Sequence, residues 1–245
     1  MQNIKQYIQT WLLDSAVRGA TIVSVFALII AFVGVGAFFR AKTLDNSISV
    51  TGSARKSVVA DTAKLSITMR RTASFNTLSG SYKLMNVNTE VVKAFIQKSG
   101  FTDADVFITP PSADQIYDNS YRPAEDRQFD VRQYIDVRSN DIAKIEALSR
   151  SITSIDQAGL IIEVRPVEYM YTKLADIRGD LFAEAIKDAR VRAEAIASTS
   201  GGKVGKIKSA ATGVVQVLTP QSTDISDYGT VDTSSINKEV MVTAR

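Results

Sequence analysis

The sequence predicts an α+β protein: a soluble domain over 47–245, mainly antiparallel sheet with helices, held behind an apolar N-terminal span. Three observations predict it. Gly19 to Phe39, GATIVSVFALIIAFVGVGAFF, carries no charge and is flanked by Arg18 and Arg40. At about 1.5 Å per residue it crosses a ~30 Å hydrocarbon core as a helix. Ala63, Leu65, Ile67 and Met69 alternate with Lys64, Ser66, Thr68 and Arg70, and Phe129, Val131, Ile135 and Val137 alternate with polar residues in the same way. That period of two marks half-buried strands. Segments of helical period lie between such strands, in an order that places helices on one face of antiparallel sheets.

The elements follow in order. An arm over 1–18 places Ile4, Tyr7, Ile8, Trp11, Leu12 and Ser15 at helical spacing, an amphipathic helix suited to the headgroup level. The transmembrane helix occupies 19–39 and a polar linker 40–46. Ile48 to Gly52 opens a first strand, and Ala63 to Arg70 forms the second. A helix from Asn76 to Ser99 presents Leu84, Val87, Val91, Val92, Phe95 and Ile96, with Gly100 at a left-handed cap position. Val106 to Tyr117 is a strand broken by Pro110-Pro111, hence an edge or bulge. Asp118 to Arg127 is a polar loop. After the strand from Phe129, Ser139 or Asn140 caps a helix with Ile142, Ile145, Leu148, Ile152 and Ile155 on its core side. Leu160 to Tyr171 is a strand, Leu174 to Ser200 a long helix stopped by Gly201-Gly202, and Lys203 to Leu218 a long strand kinked at Gly213. Thr219 to Ser235 is a polar loop, and Ile236 to Arg245 alternates again through Ile236, Val240 and Val242.

Composition excludes several chemistries. The 245 residues leave roughly 205 for the soluble part, enough for a real core. A net charge of +3, from 29 basic and 26 acidic residues, describes a balanced surface and not a nucleic-acid binder. With no Cys and no His, disulfides, structural zinc sites and thiolate or imidazole catalysis are out of reach. Val35-Gly36-Ala37 has the small residues of a cleavage site, but the run is longer than a usual signal core and follows a long patterned arm, so a retained anchor is the expectation. Lys5 and Arg18 on one side balance poorly against Arg40, Lys42, Arg55 and Lys56 on the other; the count votes weakly because long domains cross largely regardless of charge.

Two small-residue ridges stand out. Ala20, Ser24, Ala27, Ala31 and Gly34 recur in steps of four and three, the period of a left-handed helix seam, and mark an oligomer contact within the membrane. Ala185, Ala189, Ala193 and Ala197 recur every four residues and let a helix approach a sheet closely. Asp188 with Arg192 and Arg190 with Glu194 pair along the wet side of that helix.

The stretch AEAIKDARVRAEAIASTSGGKVGKI from Ala185 resembles the SIMPL-domain family of bacterial exported proteins, which includes the periplasmic immunogenic proteins. The opening ISVTGSARKSVVADTAKLSIT and the strands around Ser112–Tyr117 and Phe129–Arg138 are similar to the same pattern. The resemblance implies an exported α+β domain that forms ring- or cage-like homo-oligomers with a loose link to envelope and oxidative stress. It supplies no agreed catalytic residues. It also tilts the orientation towards arm inside and domain outside.

Other motifs yield to plainer readings. Gly201-Gly202-Lys203-Val204-Gly205-Lys206 is not a phosphate loop, because Ser200 and Ile207 replace required residues and the order is helix then strand. Asp224, Asp227 and Asp232 lack the ligand alternation of a calcium loop. Glu163, Glu168 and Asp176 read as solvated faces rather than an acid–base pair. Tyr117, Tyr121, Tyr134, Tyr169 and Tyr171 near Arg127, Arg132 and Arg165 resemble a stacking platform for single strands, which the small net charge disfavours. The expectation is therefore a single-pass inner-membrane scaffold with its domain in the periplasm. Its partners are itself and the bilayer, with no nucleic acid, no cofactor and no enzymatic activity. An accessory subunit capping another envelope complex and a carboxylate hydrolase are the other classes considered.

Overall fold

The computed structural model describes residues 7, 15–43, 47–117, 123, 126–224 and 226–245. The chain divides into two compact units, Met1–Ser49 and Val50–Arg245. In the first unit, α1 is one helix over Ser15–Thr43. The expected linker is corrected at its start: Arg40, Ala41 and Lys42 are good helix formers, with no Gly or Pro among them to end the helix at Phe39. Residues 44–46 and most of the expected arm lie outside the described residues; Tyr7 is helical and exposed.

The second unit runs β1 (Gly52–Val59), β2 (Thr62–Ser74), α2 (Leu78–Lys98), β3 (Val106–Ile108), β4 (Ser112–Ile116), β5 (Gln128–Ser139), α3 (Ile142–Ser151), β6 (Ile161–Val164), β7 (Glu168–Met170), α4 (Leu174–Thr199), β8 (Gln216–Leu218) and β9 (Asn237–Ala244). These strands form two sheets. The larger has β5 and β2 at its centre, with β3 and β4 on the outer side of β5 and β6 and β7 on the outer side of β2. The smaller has the order β1-β9-β8. Every ladder is antiparallel, so the α+β class predicted from alternation is the class observed.

The β2–β5 register sets Leu65 opposite Val137, Ile67 opposite Ile135 and Arg71 opposite Val131. Leu65, Ile67, Met69, Val131, Ile135 and Val137 are fully buried, and Met85, Val92 and Ile96 of α2 with Ile145 and Leu148 of α3 close over them. The opposite face of this sheet carries Lys64, Ser66, Thr68, Arg70, Asp130, Arg132, Tyr134 and Asp136, as the alternation requires. A second core lies between α4 and the smaller sheet, built from Ala54, Ile177, Leu181, Ala185, Val217, Val240 and Val242. Consecutive strands β1 and β2 lie in different sheets. The Ala60 N–H donates to the Ile236 carbonyl (2.8 Å), the Asp61 N–H to Met170 (2.9 Å) and the Tyr169 N–H to Thr233 (2.8 Å), which ties the sheets together at that corner.

Several expectations are corrected. The first strand starts at Gly52 and not at Ile48. On α2, Leu84 (48% exposed) and Val87 (59%) face outward. The buried stripe is Ser81, Met85, Asn88, Thr89, Val92 and Ile96. Both stripes have helical spacing; in the inner one Thr89 is satisfied, donating to Gln133 Oε1 (2.6 Å) while Gln133 Nε2 donates to the Thr109 carbonyl (2.8 Å), whereas the buried Asn88 Nδ2 has no hydrogen-bond partner among the described residues. The cap of α3 is Asp141, which accepts from the Lys144 N–H (3.0 Å); Ser139 is still paired in β5. Leu160 to Tyr171 is two short strands, β6 and β7, because Pro166 between them has no N–H to give a ladder. Lys203 to Leu218 forms a ladder only over β8. Before it, the reciprocal Ala211–Arg245 pair (2.7 and 2.8 Å) and the Gly213 N–H to Thr243 O bond (2.8 Å) follow the edge of β9. Gly205, Gly213 and the absence of a period of two leave that stretch without a strand pattern. The Pro110-Pro111 break is observed as an edge split into β3 and β4, and Gly100 has φ +89° at the end of α2. The loop over 118–127 lies mostly outside the described residues, Tyr121 included.

Candidate functional site

In the first unit the helix α1 stands out by its exposed apolar surface. Its stretch Val17–Arg40 is 24 residues long, has mean hydropathy 2.7 and is 0% buried. Such a helix has the length and composition of a membrane anchor and of a signal sequence. Ala20, Ser24, Ala27, Ala31 and Gly34 are all exposed. The Ser24 hydroxyl donates to the Ala20 carbonyl (2.8 Å), so it is satisfied within the helix and needs no outside partner in lipid. A Cβ at Gly34 would meet nothing within 4 Å. At helical spacing these residues line one side of α1 as a strip of small groups.

In the second unit a close backbone contact joins β1 to α4. A Cβ placed on Gly52 would lie 2.2 Å from the Ala185 carbonyl oxygen and 2.2 Å from the Ala189 nitrogen. The helix backbone therefore occupies the space of the missing side chain. Ala185 and Ala193 are buried, while Ala189 and Ala197 are half-buried. Asp188 fixes the register by accepting the Ser53 N–H (2.8 Å) at Oδ2, which also pairs with Arg192 (2.9 Å). The Ser53 N–H, and then Arg192, hold its carboxyl below the usual carboxylate range.

Two charge networks are built into the sheets. Lys238 is fully buried; its ammonium donates to Asp232 Oδ2 (2.9 Å) and to the Asp232 carbonyl (2.6 Å). The Ser234 hydroxyl donates to Oδ1 (2.7 Å), and Ser235 donates to Oδ2. Burial pushes the Asp232 carboxyl up, but the hydrogen bonds from Ser235, Ser234 and Lys238 outweigh it and hold it far below the usual range. On the open face of the larger sheet, Asp130 is buried beneath Arg70 and Arg132, accepting from Arg70 at 2.6 Å and Arg132 Nε at 2.5 Å. Arg70 also reaches Glu163 (2.5 Å). Burial again raises the Asp130 carboxyl, and the bonds from Arg70 and Arg132 bring it below the usual range.

The carboxylates considered from the sequence as an acid–base pair lie on different elements. Glu163 pairs with Arg70, Glu168 with Lys64 (3.0 Å), and Asp176 lies in the first turn of α4. Asp232 binds Lys238, and among the described residues no group of three His, Cys, Asp or Glu side chains could hold a metal ion. Gly201 (φ +71°) ends α4, where the Gly202 N–H bonds to the Ala197 carbonyl (2.8 Å). The Tyr169 hydroxyl donates to Glu146 (2.8 Å); Tyr117 and Tyr134 are exposed, and Tyr171 is half-buried. Sequence reading missed Lys238, Asp130, Gln133 and Gly52. A signal existed for two of them. Lys238 shares the parity of Ile236, Val240 and Val242, and Gln133 that of Val131, Ile135 and Val137, so both stand on strand faces that turn inward.

The fold and these contacts define an α+β protein with one apolar N-terminal helix. Residues 48–244 match the family model described as SIMPL, protein of unknown function (DUF541), and the chain belongs to that family. No curated protein matches the chain.

Proposed function

We propose that this chain is a membrane-anchored, self-assembling scaffold of the cell envelope, serving under envelope or oxidative stress and not acting as an enzyme. Its partners on this reading are further copies of itself and the bilayer. The observation that carries it is the apolar stretch Val17–Arg40, none of it buried, ahead of a SIMPL domain. The strip Ala20, Ser24, Ala27, Ala31 and Gly34 supports association of the spans, since helices in lipid associate through close packing of small residues and not through burial. A domain that also assembles raises the effective concentration of the spans, so weak seams close.

Detergent-solubilised full-length protein is expected to run as one large, pure species. Ala27→Leu with Ala31→Leu should lower its mass or its melting temperature. A chain starting at Thr43 tests whether the domain assembles alone. A monomer at full length, or a stoichiometric second protein in the preparation, would replace the scaffold reading with that of an accessory subunit.

The domain is placed in the periplasm on this reading, on the strength of the family's export. A reporter that works only in the cytoplasm, fused after Arg245, should be silent. An active fusion reverses the topology.

A further inference from the structure

One end of the second unit has a composition unlike the rest. The helix α4 runs antiparallel to β1: at its start the Thr172 N–H and hydroxyl donate to Asp61 (3.0 and 3.1 Å), and further on Asp188 accepts from Ser53 (2.8 Å). About ten residues of the helix, roughly 15 Å, therefore continue past the start of β1. After Gly201 the chain turns back, and it rejoins the sheet at Ala211, which exchanges both backbone hydrogen bonds with Arg245 (2.7 and 2.8 Å). Residues 190–210 thus form a lobe at the end of the sheet where β1 begins. Nine positions separate the end of α1 at Thr43 from Gly52, a tether of at most ~32 Å when fully extended.

The lobe is basic and exposes large apolar groups. Arg190, Arg192, Lys203, Lys206 and Lys208 stand against one carboxylate, Glu194, and no acid occurs from Ala195 to Thr223. Counting Asp188, which pairs with Arg192, the excess is three, equal to the whole chain's net +3. Arg190 and Arg192 are paired along the helix with Glu194 and Asp188, both at 2.9 Å. Lys203 and Lys206 are exposed, as are Ile196 (52%) and Ile207 (70%). Ile207, framed by Lys206 and Lys208 on a segment outside any ladder, suits an interface with negative headgroups above and acyl chains below, and Ile196 adds an exposed apolar group from the end of α4.

We propose that this lobe is a second membrane contact, seating on anionic phospholipid: the lysines reach headgroup phosphates, and Ile196 and Ile207 enter the upper acyl region. The proposal rests on the anchored reading, because a retained span keeps the lobe near a bilayer. Lysine stems carry their charge to the phosphate level while covering apolar surface, so both residue types are used in one pose.

The chain has no cysteine, so single labels are clean. Full-length protein with Ile207→Cys, or with Ala175→Cys near the start of α4 as control, is labelled with a fluorophore. It is then placed in nanodiscs of phosphatidylcholine alone or with about a third phosphatidylglycerol, doped with headgroup nitroxide lipid. Quenching at position 207 is expected only in the anionic discs, several-fold above position 175, and should fall in high salt. Lys203→Gln, Lys206→Gln and Lys208→Gln together should reduce it about fivefold or more. Equal quenching at 207 and 175, or quenching at 207 indifferent to lipid charge and to the lysines, overturns the inference while leaving the anchor intact. Protection of the 207 label without lipid quenching would mean a protein covers the lobe, and also overturns it. Protein that fails to enter the discs removes the anchored reading and this inference with it.

Discussion

Gly52→Ala is expected to destabilise the domain by about 3 kcal/mol, the upper part of the range for overpacking. The added methyl would sit 2.2 Å from backbone atoms of Ala185 and Ala189, which cannot rotate away as a side-chain tip does. Relief requires α4 to lift from β1. That movement strains the Asp188–Ser53 bond and opens the core of Ala54, Leu181 and Val242. For a domain of this size the melting temperature should fall by roughly 10 °C. Ala189→Leu loads the same contact from the helix side and should act in the same direction. Gly179→Ala, in the same helix with open space around it, should instead gain about 0.5–1 kcal/mol from helix propensity. Thermal melts of the three variants separate a close-contact effect from a general intolerance of α4 to change. Gly52→Ala melting with the wild type would show that the helix and strand lie farther apart than this geometry requires.

Lys238→Met is expected to cost about 3–5 kcal/mol, because it leaves the Asp232 carboxylate buried without its cation. The methionine fills the space of the lysine stem, so the loss reads the charge and not a cavity. The pH dependence gives a second readout. In the wild type the folded Asp232 titrates below its unfolded value near 4. The unfolded chain therefore binds the proton first, and the pair's contribution, full above about pH 4, is lost as pH falls further. In Lys238→Met one of the interactions that depress the carboxyl is gone, so the folded and unfolded titrations lie closer together and the stability lost between pH 7 and pH 3 should be smaller than in the wild type. Urea midpoints from pH 7 to pH 3 test this. A variant whose acid limb overlays the wild type, with no loss at neutral pH, would mean that the pair contributes nothing to folding.

Strand and helix periods determined most of the architecture in advance. The faces of β2 and β5 follow from alternation alone, because successive side chains on a strand point to opposite sides. The α1 span, the end of α4 at Gly201 and the break at Pro110-Pro111 follow from chain chemistry that acts within a few residues: unbroken apolar length, a left-handed cap, and missing N–H donors. The family pattern was legible for the same reason, since the spaced alanines of α4 reflect one close contact.

Tertiary structure alone decided the rest. Which stripe of α2 turns inward depended on Thr89 meeting Gln133 from a strand more than forty positions away, and helical spacing is equally satisfied by Leu84 and Val87. Arg70, Asp130, Arg132 and Glu163 become one network only through the register of β2 with β5 and β6, and a one-residue slip would turn each of them to the other face. The division of β1 and β2 between two sheets, the pairing of Lys238 with Asp232 and the basic lobe beyond Gly52 arise from chain returns that local periods do not specify. Local sequence carries periods and caps, whereas pairing partners are chosen by the free energy of the whole packed domain.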